Sequence, residues 1–155
     1  MAYIDQFDDL IRESERGKAV RSTRTIAVFH DGLVVCAVSI HGAGKPPTGL
    51  WRWRRATGAG DGDDNHVKIT AQTLGDRASA RALAEIWPKA ELIPFDVIDT
   101  VVLTRPQQVT RLAIGEETTD GSGAESVFLG DLAEERVRGV LGPLLGERLR
   151  IEIPA

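Results

Sequence analysis

The chain has 155 residues, a formal net charge of −4 at neutral pH, 42% hydrophobic and 27% charged residues, and one cysteine. That length suits one domain able to bury roughly two thirds of its unfolded surface, and the composition excludes disorder along the whole chain. The acidic balance argues against a general nucleic-acid binder, which needs a basic surface, and the lone Cys36 excludes an intrachain disulfide framework or a multi-cysteine zinc site.

The chain starts with Asp5, Asp8 and Asp9 and lacks the basic and apolar regions of a signal peptide. No apolar stretch approaches the ~20 residues that span a bilayer, so a cytoplasmic protein is expected. Ile4, Phe7, Leu10 and Ile11 fall at helical spacing, with acids early and Arg12, Arg16 and Lys18 late. This predicts an N-terminal helix over Tyr3–Arg16, ended by Gly17, with residues 1–20 forming helix and linker.

Thr25–His30 and Leu33–Ile40 are apolar runs joined by Asp31-Gly32, the dipeptide of a type I′ hairpin whose central residues take φ > 0. Val34, Cys36, Val38 and Ile40 share one face of the second run, and Leu33, Val35, Ala37 and Ser39 the other. Neither face is polar. A strand of this kind is covered on both sides, which makes the hairpin central and Cys36 a buried thiol. From His41 to His66 the composition turns to Gly, Pro, Asp and other charge, a loop region expected to be mobile, with Leu50–Arg55 as a short strand inside it. Val67–Gln72 alternates weakly and reads as a further strand.

Asp76–Trp87 returns to helical spacing, with Ser79, Ala82, Leu83, Ile86 and Trp87 on one face and Pro88 to stop it. Strands follow at Ile93–Thr104, bent near Pro94–Asp96, at Val109–Gly115 and at Ser126–Leu129. Asp131 opens the last helix, with Glu134 completing a capping box. Ala133, Val137, Val140, Leu141 and Leu144 form its buried stripe, Pro143 interrupts it, and Gly146 ends it. Leu149, Ile151 and Ile153 alternate with charged residues in a final half-buried strand. The expected core is Val28, Val34, Cys36, Val38, Val101, Leu112, Ile114, Phe128, Val137, Val140, Leu141 and Leu144.

No local motif assigns a chemistry. Gly42-Ala-Gly-Lys45 lacks the first Gly and the Ser or Thr of a phosphate loop, and Pro46 removes an amide that such a loop would donate. Asp61–Asn65 resembles the start of a calcium loop but has His66 in place of the turn glycine and Gln72 in place of the bidentate Glu; a solvated acidic loop is the plainer reading. His30, His41 and His66 have no metal-binding spacing. Trp51-Arg-Trp-Arg-Arg55 is the unusual cluster: Trp51, Trp53 and Arg55 alternate with Arg52 and Arg54. Its arginines can clamp an anionic group while its rings stack on a partner or membrane, or else the rings complete the core.

Ile93-Pro-Phe-Asp-Val-Ile-Asp-Thr-Val-Val102, a strand ending Ala-Ile-Gly, Val127-Phe-Leu129 and the closing helix resemble the second half of a bacterial pleckstrin-homology-like (PH-like) domain. Thr25–Val38 is similar to that family's first hairpin, and the likeness covers about half the chain. It implies a non-enzymatic module binding lipid head groups or proteins, with Lys45 and Arg52-x-Arg54 similar to the basic motif of the lipid binders. The order helix, strands, helix, strands, helix also resembles the secretion-chaperone fold, which implies a homodimer holding an extended partner segment.

The expectation is therefore a single α+β domain over residues 1–155. It has a curved antiparallel sheet or PH-like barrel with a packed C-terminal helix, an N-terminal helix and an inserted middle helix. Its expected role is a non-catalytic interaction module without cofactor or metal. It would bind a protein partner or self-associate, a homodimer included, with no nucleic acid and no strong membrane attachment. The alternatives are a small enzyme with a dispersed site, or anionic-lipid or phosphate binding. The expected binding residues are Lys45, Trp51, Arg52, Trp53, Arg54 and Arg55.

Overall fold

The computed structural model describes residues 3–15, 22–39, 67, 70–74, 78–87, 89–106 and 108–153. These residues contribute eight strands to one curved, unclosed sheet, in the order β4-β3-β2-β1-β7-β6-β5-β8. The strands are β1 (Tyr3–Arg12), β2 (Ser22–Phe29), β3 (Gly32–Ser39), β4 (Glu91–Pro94), β5 (Ile98–Thr104), β6 (Thr110–Glu116), β7 (Ala124–Gly130) and β8 (Leu149–Glu152). Helix α1 (Ala80–Ile86) precedes β4, and helix α2 (Glu134–Leu145) joins β7 to β8.

The expected N-terminal helix is a strand, β1, followed by a 3-10 turn at Glu13–Glu15. The helical spacing has a local cause. The pairing of β1 with β2 shifts between Phe7 and Leu10, and Asp9 takes a φ of 60°. Such a bulge turns a three-residue step into a same-face step. Phe7 and Leu10 are therefore both buried in one core, as helical neighbours would be. Past Leu10 β1 changes partner: Tyr3–Leu10 pair with β2, whereas Ile11 and Arg12 pair with Leu129 and Phe128 of β7. With its first described element a strand, the helix-first order on which the secretion-chaperone resemblance stood is not supported.

The β2–β3 hairpin forms as expected and both its faces are covered. Ile26, Val28, Leu33 and Val35 join the core that holds Phe128 and α2, while Ala27, Phe29, Val34, Cys36 and Val38 join a second cluster with Leu83 of α1. The turn itself differs. Val28 pairs with Leu33, so His30 and Asp31 occupy the turn, and the residues with positive φ do not include them or Gly32. Gly32 instead permits close approach: a β-carbon there would lie 2.8 Å from the Ile93 carbonyl oxygen on β4. Asp31 also docks α1, its Oδ1 accepting from the Ala80 N–H at 3.0 Å, beside the Ser79 cap on Ala82.

Val67 and residues 70–73 are helical rather than a strand. Val67 and Ala71 stand four apart and are both buried in the second cluster, the helical repeat that weak alternation concealed. The Ile93–Thr104 bend is a complete break: a 3-10 turn at Phe95–Val97 separates β4, which pairs with β3, from β5, which pairs with β6.

Helix α2 starts at Glu134 rather than Asp131, and Ala133 caps it without a side-chain bond. The three residues before it are used to leave β7. There the Thr110 hydroxyl accepts from the Leu132 N–H at 2.8 Å and donates to the Gly130 carbonyl at 2.6 Å. The helix is continuous through Pro143, because Gly139 and Pro143 both face water, where the unpaired Gly139 carbonyl can be hydrated. Val137, Leu141 and Leu145 are buried; Val140 and Leu144 are partly buried against the same core. Gly146, at φ 58°, ends the helix.

The sheet is not wholly antiparallel. Strand β8 lies parallel to β5, Val101 opposite Leu149 through Thr104 opposite Glu152. A parallel neighbour needs a crossover of about a dozen residues, which α2 supplies. Arg148 fixes the junction, donating to the carbonyls of Phe95 at 2.7 Å and Ile98 at 3.1 Å.

Candidate interaction surface

The strand ends Arg12, Glu91 and Glu116 meet at one end of the curved sheet. Arg12 leaves β1 with its guanidinium 5.1 Å above the Phe128 ring and reaches Glu91 of β4 at 2.8 Å. Its contact with a strand three places away in the sheet order follows from the curvature of the sheet. Glu116, at the end of β6, feels both partners. Burial chiefly, and then repulsion from Glu91, raise its carboxyl above the usual range, while Arg12 acts in the opposite direction.

A second set of charges lies alongside. Arg111 of β6 donates from Nε to Glu13 at 2.8 Å and lies 3.8 Å from Glu125 of β7. The Glu13 bond is the main reason the Arg111 pKa rises further. Between these residues β1 and β7 separate. Strand β7 is paired with β6 along its whole length, from Ala124 to Gly130, but with β1 only at Phe128 and Leu129. A cleft of about 310 Å³ opens where the two part, lined by Arg12, Glu13, Ser14, Glu125, Ser126 and Val127.

A further polar cluster fastens β1 to α2. Arg136 donates to Asp5 at 3.0 Å and to the Gln6 carbonyl, and its guanidinium lies 5.1 Å over the Phe7 ring. Tyr3 donates to Gln6 at 3.0 Å and packs edge-on against Phe29. Burial first, and then Asp5 and Asp8, push the Tyr3 phenol up to about 12. Cys36 is buried as expected, and burial pushes its thiol up to about 12. Asp120, in the β6–β7 turn, is lowered to about 2 by hydrogen bonds from Thr118 and Ser122.

Lys45, Trp51, Arg52, Trp53, Arg54 and Arg55 lie outside the described residues, as do the Asp61–Asn65 loop, His41 and His66. His30 is exposed on the β2–β3 turn. Among the described residues, no group of three His, Cys, Asp or Glu could hold a metal ion, and no helix is long and apolar enough to cross a membrane. Sequence reading missed the cleft residues. They come from the end of β1, the 3-10 turn after it and β7, and no spacing announces residues that only the tertiary fold brings together.

Comparison with solved structures places the fold. The chain is similar to a chain in the "Structure of the Spt16D Pob3N heterodimer", with a TM-score of 0.50 at 10% sequence identity. The match covers 100% of this chain and 57% of that one, so this chain spans little more than half its length. At the level of fold alone, this likeness supports a PH-like architecture. No protein-family model matches the chain, and no curated protein matches it.

Proposed function

We propose that this chain is a non-catalytic interaction module, one α+β domain that recognises a protein partner or a second copy of itself. The observation that carries the reading is the layout of charge around the β1–β7 cleft. Arg12, Glu13 and Glu125 line it, and they are taken up in the dispersed ion pairs Arg12–Glu91, Arg111–Glu13 and Arg111–Glu125. Catalysis by acid and base needs groups that converge on one reacting atom. Among the described residues, the groups with displaced pKa values, Tyr3, Cys36, Arg111, Glu116 and Asp120, lie on different elements and each has its own local cause. The similar solved chain, a heterodimer component by its description, agrees with a protein-binding role.

The net charge of −4 opposes attachment to anionic membranes and to nucleic acid. The test is a pair of measurements at ~0.15 M salt. Anionic vesicles should not sediment the protein, and chemical cross-linking in cell extract or at high protein concentration should give a discrete adduct. Vesicle binding that persists at this salt and is lost in Arg52→Ala/Arg54→Ala would move the protein to the lipid-binding class.

A further inference from the structure

Strand β8 ends the sheet, with β5 on one side of it and no described strand on the other. In a parallel ladder alternate residues turn their N–H and C=O away from the neighbour, so half of the β8 backbone groups point out from the sheet edge. An open edge of this kind pairs with another chain unless something blocks it, and charged side chains on the edge are a common block. Strand β8 carries two. Arg150 and Glu152 are both exposed on its outer face, and neither side chain has an ion-pair or hydrogen-bond partner among the described residues. Leu149, Ile151 and Ile153 alternate with them and are only partly buried against the core.

The two charges are of opposite sign, and that decides which strand the edge accepts. Two copies of β8 related by a two-fold axis perpendicular to the sheet run antiparallel, with the inner faces of both on the same side. An axis at Arg150 sets that residue against its own copy, and an axis at Glu152 does the same for Glu152. Like charges directly opposite one another are destabilising. An axis at Ile151 sets Arg150 against Glu152 of the second copy twice over, with Ile151 against Ile151 and Leu149 against Ile153. Both ion pairs and the half-buried apolar row are then matched. The strand that repels itself in the neighbouring registers is complementary to itself in this one.

We propose that the β8 edge is a self-association surface, on which a second copy of this chain adds its own β8 antiparallel in the register centred on Ile151. This rests on the protein-binding reading above and names the partner as a second copy. A four-residue strand covers far less than the roughly 1,200 Å² of a standard interface, so the dimer is weak and forms at high concentration.

Sedimentation velocity from about 20 µM to 1 mM should show a monomer passing to a dimer, and the amides of Leu149–Ile153 should gain hydrogen-exchange protection as concentration rises. Arg150→Glu gives two Glu–Glu contacts in this register and Glu152→Arg gives two Arg–Arg contacts. Each variant alone, with an unchanged melting temperature, should self-associate about tenfold more weakly or worse. An equimolar mixture of the two should recover association, because each then faces its opposite. If either variant does not fold, the concentration-dependent protection of β8 in the native chain decides alone. A native chain that stays monomeric, single variants that dimerise as the native chain does, a mixture of folded variants that does not associate, or protection falling elsewhere would each overturn the proposal. A different protein cross-linked to a monomeric chain would leave the protein-binding reading intact and defeat only this one.

Discussion

Phe7 and Leu10 stand three residues apart on one strand, yet both are buried in the same core, because the bulge at Asp9 restores the face that a regular strand would lose. The left-handed region costs an ordinary L-residue roughly 1–2 kcal/mol, and glycine nothing. Asp9→Ala should therefore be less stable than Asp9→Gly by about that amount. Both variants lack the carboxylate, so the difference isolates the backbone. Urea unfolding checks it, and equal midpoints would show that the bulge does not depend on Asp9 being left-handed.

Gly32→Ala tests a different use of glycine. The added methyl would meet backbone on β4, with Ile93 O at 2.8 Å and Pro94 Cα at 3.0 Å, neither of which can swing aside as a side chain would. A loss of about 1–3 kcal/mol is expected, with faster amide exchange at the β3–β4 ladder. A neutral result would place β4 further from β3.

Leu141 is 1% exposed on the inner face of α2. Leu141→Ala should cost roughly 2–5 kcal/mol in chemical unfolding. Below about 1 kcal/mol, α2 would present another face to the sheet.

Tyr3 is the one tyrosine in the chain, so its ionisation can be followed directly by ultraviolet absorbance. The folded pKa of about 12 lies above the ordinary 10.0, so the neutral phenol is favoured by the fold. Its stabilising contribution is complete below pH 10 and is lost as pH rises towards 12. The native titration midpoint should lie well above that of the denatured chain, and Asp5→Asn should lower it. A midpoint at the denatured value would mean that Tyr3 faces water.

Much of the architecture was legible in residue pattern. The two apolar faces of Leu33–Val38 foretold cover on both sides of β3, and the Val137–Leu141 stripe foretold the packing of α2. The N-terminal strand was not legible, because its bulge reproduces helical spacing over Ile4–Ile11. The middle helix, expected over Asp76–Trp87, is the shorter Ala80–Ile86 with Ser79 as its cap, and Ile86, assigned to its apolar face, is 54% exposed. The parallel β8 escaped notice because alternation reveals a half-buried strand and says nothing of its direction. The cleft was hidden for a related reason. Arg12 and Glu91 become neighbours only when the sheet curves, and the clustered signal at Trp51–Arg55 drew the expected site elsewhere.

The divided allegiance of β1 sets an order of events during synthesis. Tyr3–Leu10 can pair with β2 soon after both leave the ribosome, but Ile11 and Arg12 must wait for Phe128 and Leu129. Until then the far edge of β1 stays open, and Phe7 and Leu10 lack Phe128 and α2 to cover them. Such long-range closure is slow compared with local hairpins, and exposed edges are where nascent chains meet one another. The nascent chain is therefore most exposed to aggregation in the interval before β7 emerges.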